Sequence, residues 1–346
     1  MLPYWLFFLL PAVVILTNQR LAPNSQALTW GLIWLIFSLA MGLRFEVGGD
    51  WFQYIYLFEI QAAKGFWEVV TGDDPGYYLL NWLVSQPGGS IYWVNTACGM
   101  IVMTGVVRFA RSQPLPWLAL LVAVPYLIIV VGMGYTRQSA ALGLLMIGLV
   151  ALRNGQVRWF VFWVMLGATF HKSAVLMLPV AALAATSNRF WRFFWVGLLS
   201  LLSGYLFVFD SAETLWANYV EADYQSQGGL IRVMMNAVPA LLFFVFQRSL
   251  RLSDAERKLW FRMSLLALAC LPLVVISSTA TDRVALYLIP IQMFVFARLP
   301  FVVNSPRWRA LITLAVVGYY GVVQAVWLFF ATHAFAWLPY RLAWAL

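Results

Sequence analysis

An all-α protein that crosses a membrane many times is the fold class this sequence predicts, and three observations predict it. Hydrophobic residues make up 63% of the 346 residues and charged residues only 10%, too few to cover a water-soluble surface. Apolar windows of about 15 to 20 residues recur from end to end, the length a helix needs to cross a hydrocarbon core of roughly 30 Å. The Lys and Arg residues collect in alternate connections between those windows, as they do when loops are sorted to two sides of a membrane.

The windows fall near 3–19, 28–43, 91–108, 115–133, 138–152, 159–170, 172–186, 193–209, 231–248, 262–278, 284–298 and 310–331. They predict about 12 transmembrane helices, in a range of roughly 10 to 12. The first window lacks the cationic start and small-residue cleavage site of a secretory signal, so it reads as a retained span. Cys98 and Cys270 fall inside spans, which suggests neither a disulfide framework nor a thiolate metal site. No repeat, low-complexity tract or Gly/Ser linker divides the chain, and residues 1–346 read as one integral membrane domain.

Most of the 22 Lys and Arg residues lie in one alternating set of connections, at Arg20, Arg108, Arg111, Arg153, Arg158, Arg189, Arg192, Arg248 to Arg262, and Arg298 to Arg309. That side is expected to be cytoplasmic. The other side carries every acid except Asp254 and Glu256, with only Arg44, Lys64, Arg137, Lys172, Arg232, Arg283 and Arg341 as cations. The net charge of +9 is therefore a topology signal, and nucleic acid is not expected as a partner.

Two outward, periplasmic loops are long, 44–90 and 210–230. The first opens with Arg44-Phe-Glu-Val-Gly-Gly-Asp50 and continues as Trp51, Tyr54, Ile55 and Phe58, a spacing that predicts an amphipathic helix lying in the interface. Asp73-Asp74-Pro75-Gly76 then predicts a turn, followed by a short apolar helix ending near Pro87. The second loop mixes Glu213, Glu221 and Asp223 with Trp216 and Tyr219, which fits sugar and equally fits any wet loop at a membrane surface.

Isolated ionisable groups at the outer ends of spans are the candidates for chemistry. Arg137, in Gly132-Met-Gly-Tyr-Thr-Arg-Gln138, can grip a phosphate with two parallel hydrogen bonds, with Gln138 as a further donor; the alternative is an Arg snorkelling to the interface. His171-Lys172-Ser173 stands alone between Arg158 and Arg189 and marks a break between short helices. A neutral imidazole there can accept a proton, and an imidazolium can pair with phosphate. Asp282-Arg283 repeats the pattern, with Arg283 and Tyr287 on one helical face. Arg44, Arg137, Lys172 and Arg283 together would suit a lipid-borne diphosphate, with His171 and Asp50 as proton-transfer candidates. Asp73-Asp74 and Glu221-x-Asp223 are weak signals for a divalent cation, and none is expected.

Taken in series, Arg44-x3-Gly48-x-Asp50-x3-Tyr54-x3-Phe58, Pro75-Gly-Tyr-x3-Asn81, Arg137-Gln138-x-Ala140, His171-x-Ser173-Ala174 and Arg283-x3-Tyr287 resemble the EpsG family of Wzy-like polysaccharide polymerases. Glu46, the doubled Gly48-Gly49 and Lys172 depart from the family's pattern. The resemblance implies a GT-C-like glycosyltransferase of the bacterial inner membrane that needs neither metal nor cofactor. It would polymerise undecaprenyl-diphosphate-linked oligosaccharides into O-antigen, capsule or exopolysaccharide at the periplasmic face. Arg137 and Arg283, helped by Arg44 and Lys172, would hold the diphosphate. His171 is the first choice as general base and Asp50 the second, with Gln138, Ser173, Tyr54, Asp282 and Tyr287 binding or positioning substrate. Membrane lipids and a chain-length regulator protein are the further partners implied. A ligase moving glycan to another acceptor, or a flippase for lipid-linked sugar, remains open as an alternative.

Overall fold

The computed structural model describes residues 1–17, 23–180 and 228–343, with residues 190, 194, 197, 198 and 201 between them. Among the described residues the chain is helical throughout, and its sole β feature is an isolated antiparallel bridge between Arg44 and Leu342. The end of the expected span 172–186, most of the span 193–209, most of loop 210–230 and the pair Glu221 and Asp223 lie outside the described residues.

Among the described residues six helices are long and apolar enough to cross a membrane, seven if a pair bent by 45° (Ala280–Leu286 with Pro290–Val302) counts as one span. A helical polytopic membrane protein is thus what the sequence encodes, with fewer spans among the described residues than the expected twelve. Two of the expected spans, 172–186 and 193–209, fall partly or mostly outside the described residues, and three more fall short for physical reasons. Leu2–Thr17 (α1) and Val157–Phe170 (α10) are apolar but short. Thr136–Arg153 (α9), read as the span 138–152, is buried along nearly its whole length between its neighbours Ile91–Arg111 (α6) and α10. Its polar first turn, Thr136-Arg-Gln-Ser139, and its terminal Arg153 dilute its hydropathy.

The centre of the bundle is the helix that starts at Pro116 and ends at Gly134, of which 94% of residues are buried, against 22% for Pro306–Phe330 at the periphery. Pro116 sits at its first turn, where a missing N–H costs nothing. Its second half, Val124–Val131, is π-helical and contains Pro125, a local widening of the kind that recurs at functional sites. The outer helices expose apolar residues such as Val275 and Phe330, as lipid-facing helices do. Loop 44–90 folds as expected into short helices, Trp51–Ala62 (α3), Phe66–Val70 (α4) and Pro75–Ser85 (α5), with Trp51, Tyr54 and Tyr77 turned inward.

The C-terminal segment fastens this loop to the bundle. Phe45 N–H donates to the Arg341 carbonyl at 2.9 Å, Gly48 N–H to the Ala336 carbonyl at 2.8 Å, and Ala343 N–H to the Leu43 carbonyl at 2.8 Å. Gly48 has φ of +108°, and a Cβ there would lie 2.3 Å from the Met133 carbonyl oxygen. Only glycine fits this turn, and it seats Asp50 beside the end of the central helix.

Candidate active site

Loop 44–90 and the ends of α9, α10 and the helix Ser278–Leu286 meet at one end of the bundle. The key contact starts from Gly76. A Cβ on that residue would lie 2.3 Å from Thr169 Oγ1, so the first turn of α5 presses directly on the end of α10. Asp74, buried at the head of α5, is thereby delivered to two cationic segments. Its Oδ2 pairs with Arg137 Nη1 at 2.7 Å, and its Oδ1 accepts from the Lys172 backbone N–H at 3.3 Å. Asp73 reaches the Lys172 ammonium at 3.6 Å. The two acids read as a weak cation site instead anchor Arg137 and Lys172. Among the described residues no three His, Cys, Asp or Glu side chains gather as metal ligands.

Arg137 lies over the Tyr54 ring at 5.9 Å, and its backbone N–H faces Tyr54 Oη at 3.5 Å. Its side chain keeps 26% exposure. Tyr54 is buried beneath it as a platform.

His171 leaves the helical region where α10 ends, with φ of −156° and ψ of 111°. Its Nδ1 lies 2.7 Å from Ser173 Oγ and its Nε2 3.1 Å from Arg283 Nη1. A guanidinium only donates, so Nε2 accepts and the ring proton sits on Nδ1, directed at Ser173. Ser173 Oγ continues to Tyr287 Oη at 3.1 Å. The predicted shared face of Arg283 and Tyr287 is therefore used, since both touch the His171–Ser173 turn. Burial, then the charges of Arg283, Arg137 and Lys172, hold the imidazole well below its ordinary range, so it is neutral.

Asp50, the residue ahead of α3, is half-buried, and its carboxylate makes no hydrogen bond or ion pair among the described residues. Burial raises its pKa, opposed by the charges of Arg137 and Arg283. It therefore lies within the field of both arginines while lining a cleft of about 620 Å³.

The EpsG family profile matches residues 27–342. The chain belongs to the EpsG family. Its members are polysaccharide-polymerase-type membrane proteins. No curated protein and no solved structure matches it.

Within this EpsG-family chain, three expected substrate contacts are committed to the protein itself. Arg44, expected as a surface cation, is 1% exposed. Its Nε donates to the Val47 carbonyl at 3.0 Å, its Nη2 to Thr136 Oγ1 at 2.8 Å and its Nη1 to the Met41 carbonyl, and its guanidinium faces the Trp51 ring. It braces the loop because, at the end of a span, the interior offered it more acceptors than the surface. Gln138 is likewise buried and donates to the Arg283 carbonyl at 2.9 Å. Asp282 pairs with Arg232 at 2.5 Å, which ties Ser278–Leu286 to the helix Gly229–Phe246.

The places of Asp74, Tyr135, Arg232 and His333 at this end of the bundle were not foreseen from the sequence. Arg232 carried a readable signal, as one of the few cations on the acid-rich side. Asp74 was read only as half of a weak cation site, because a pair of acids in a loop looks the same whether or not a glycine two residues on lets it reach the core.

Proposed function

We propose that this protein joins oligosaccharide units carried on a polyprenyl diphosphate, at the periplasmic face of the bacterial inner membrane. The convergence of Arg137, Lys172 and Arg283 around His171, with Asp50 in the field of both arginines, carries this reading. Three cations from separate hairpins at one depth suit a diphosphate on a lipid, whose charge needs partners near hydrocarbon. The excess of Lys and Arg at the opposite end supports a periplasmic site. Kinship with GT-C-type transferases forms part of the same reading.

In the reaction, an acceptor sugar hydroxyl attacks the anomeric carbon of the donor. The new C–O bond forms as the bond to diphosphate breaks, the electron pair leaves on the diphosphate oxygen, and the acceptor proton passes to a base. Asp50 fits the base better than His171. Its carboxylate makes no hydrogen bond among the described residues, whereas the His171 lone pair already accepts from Arg283. His171 then holds Arg283, and Asp74 holds Arg137, so that the cations meet the leaving group without reorganising.

The test is direct. Purified protein incubated with lipid-linked oligosaccharide, extracted from cells lacking the gene, should yield a ladder of added units. Arg137→Lys keeps the charge but loses the planar fork and should abolish most of the ladder at normal expression. A single added band on a different lipid would replace polymerisation with ligation.

A further inference from the structure

Asp50 lies in the field of Arg137 and Arg283 and also lines a cleft of about 620 Å³ between the loop, the central helix and the turn that follows Pro306–Phe330. The cleft has a mixed lining. Asp50, Tyr135, Arg232 and His333 supply polar groups, and Phe335 and Trp337 supply ring faces. Tyr126, also in the lining, has a buried hydroxyl with no hydrogen-bond partner among the described residues.

We infer that this cleft receives the acceptor saccharide, so that the acceptor sugar meets the donor at Asp50. The inference rests on the polymerase reading above. Three features of the cleft bear on the occupant. Aromatic faces beside hydrogen-bonding groups match a sugar ring, which has apolar C–H faces and a polar rim. An unsatisfied buried hydroxyl is a cost that a ligand hydroxyl or a water removes. The lining also includes the candidate base, and the acceptor is the reactant whose proton must be taken. The diphosphate has its own counter-charges at Arg137, Lys172 and Arg283, so the cleft need not serve the donor headgroup.

The experiment separates acceptor from donor. Oligosaccharide released from the lipid by mild acid and tagged with a fluorophore at its reducing end has no leaving group, so it can act only as acceptor. Unmodified lipid-linked oligosaccharide is the donor. Phe335 is 75% exposed and His333 is exposed, so Phe335→Ala and His333→Ala leave the packed interior intact. Each should raise the KM for the tagged acceptor about tenfold, the scale of one lost ring or hydrogen-bond contact. The KM for the lipid-linked donor should stay within about twofold, where Arg137→Lys should move it. Unchanged acceptor KM in both variants, with transfer intact, overturns the inference alone. A raised KM for lipid-linked donor but not for tagged acceptor overturns it in favour of a groove for the lipid tail. Absence of any transfer by the wild-type protein overturns the polymerase reading itself, and the inference with it.

Discussion

The two ends of the bundle use the same side chains to opposite effect. Away from the site, Glu256 accepts from Arg153 Nε at 2.9 Å and from Arg298 Nη2 at 3.3 Å. Arg298 also donates to Gln113, and its guanidinium lies 3.9 Å from the Phe294 ring centroid, which in turn stacks on Trp260 at 4.0 Å. Gln113, Glu256 and Arg298 are all buried. This network joins the ends of α6 and α9 to the starts of two later segments, and Ser253 and Glu256 close a capping box on the helix Asp254–Ile276. At the site end, Arg137 and Lys172 pair with Asp74 and Asp73 but keep 26% and 20% exposure, beside a cleft that Asp50 lines. Arg298 and Glu256, at 6% and 9% exposure, form a pair buried on both sides that holds segments together; the pairs of Arg137 and Lys172 stand at the end where a cleft opens.

The largest effect expected is at Asp50. Asp50→Asn should slow transfer by about 10²- to 10⁴-fold at unchanged expression, the span of one general base. A base works only when ionised, so activity is present above its pKa and lost as pH falls through it. Burial raises Asp50, and also Asp74, so the acid limb of the pH profile should lie above the ordinary carboxylate range. His171 is held well below the ordinary imidazole range and should leave no inflection near about pH 6.5. An inflection there, lost in His171→Gln while Asp50→Asn stays active, would return the base to His171.

The second effect is on stability, at the closed end. Glu256→Gln leaves the buried Arg298 without its carboxylate and should cost about 3 to 5 kcal/mol, the loss typical of breaking a buried pair from one side. Thermal unfolding in detergent should show it as a lower Tm. The rate per folded molecule should not change, because nothing in this network reaches Asp50 or Arg137. A variant with normal Tm and lost activity would mean that the closed end also governs the site.

The difference between the ends also sets what the sequence could reveal. Spans and turns were legible where apolar periodicity is local: Ile91–Arg111 and Pro116–Gly134 begin within a residue or so of the expected positions, and loop 44–90 has its interfacial helices. Arg137, His171 and Arg283 stood out because a charge at a span end is rare enough to need a reason. The Arg153, Glu256 and Arg298 network was invisible, since those residues lay among many basic residues that serve topology. The destination of Arg44 was equally hidden, because a cation at a span end can turn outward or inward, and only the carbonyls of Met41 and Val47 decide which.

The smallest predicted effects come from one dipeptide and sharpen the comparison within the site itself. Asp74 and Asp73 are neighbours, yet their side chains are 6% and 68% exposed. Asp74→Asn removes a buried charge partner of Arg137 and should lower activity about 10- to 100-fold, matching the 1.5 to 3 kcal/mol or so of a charge-assisted hydrogen bond. Asp73→Asn removes only a solvent-screened contact to Lys172 at 3.6 Å, of a kind worth roughly 0 to 1 kcal/mol, and activity should fall by no more than about twofold. Raising the salt concentration should narrow the Asp73 difference further while leaving the Asp74 difference in place, because screening acts on exposed pairs far more than on buried ones. Equal losses in the two variants would mean that total charge around the cations matters, and that the positioning of Arg137 by Asp74 does not.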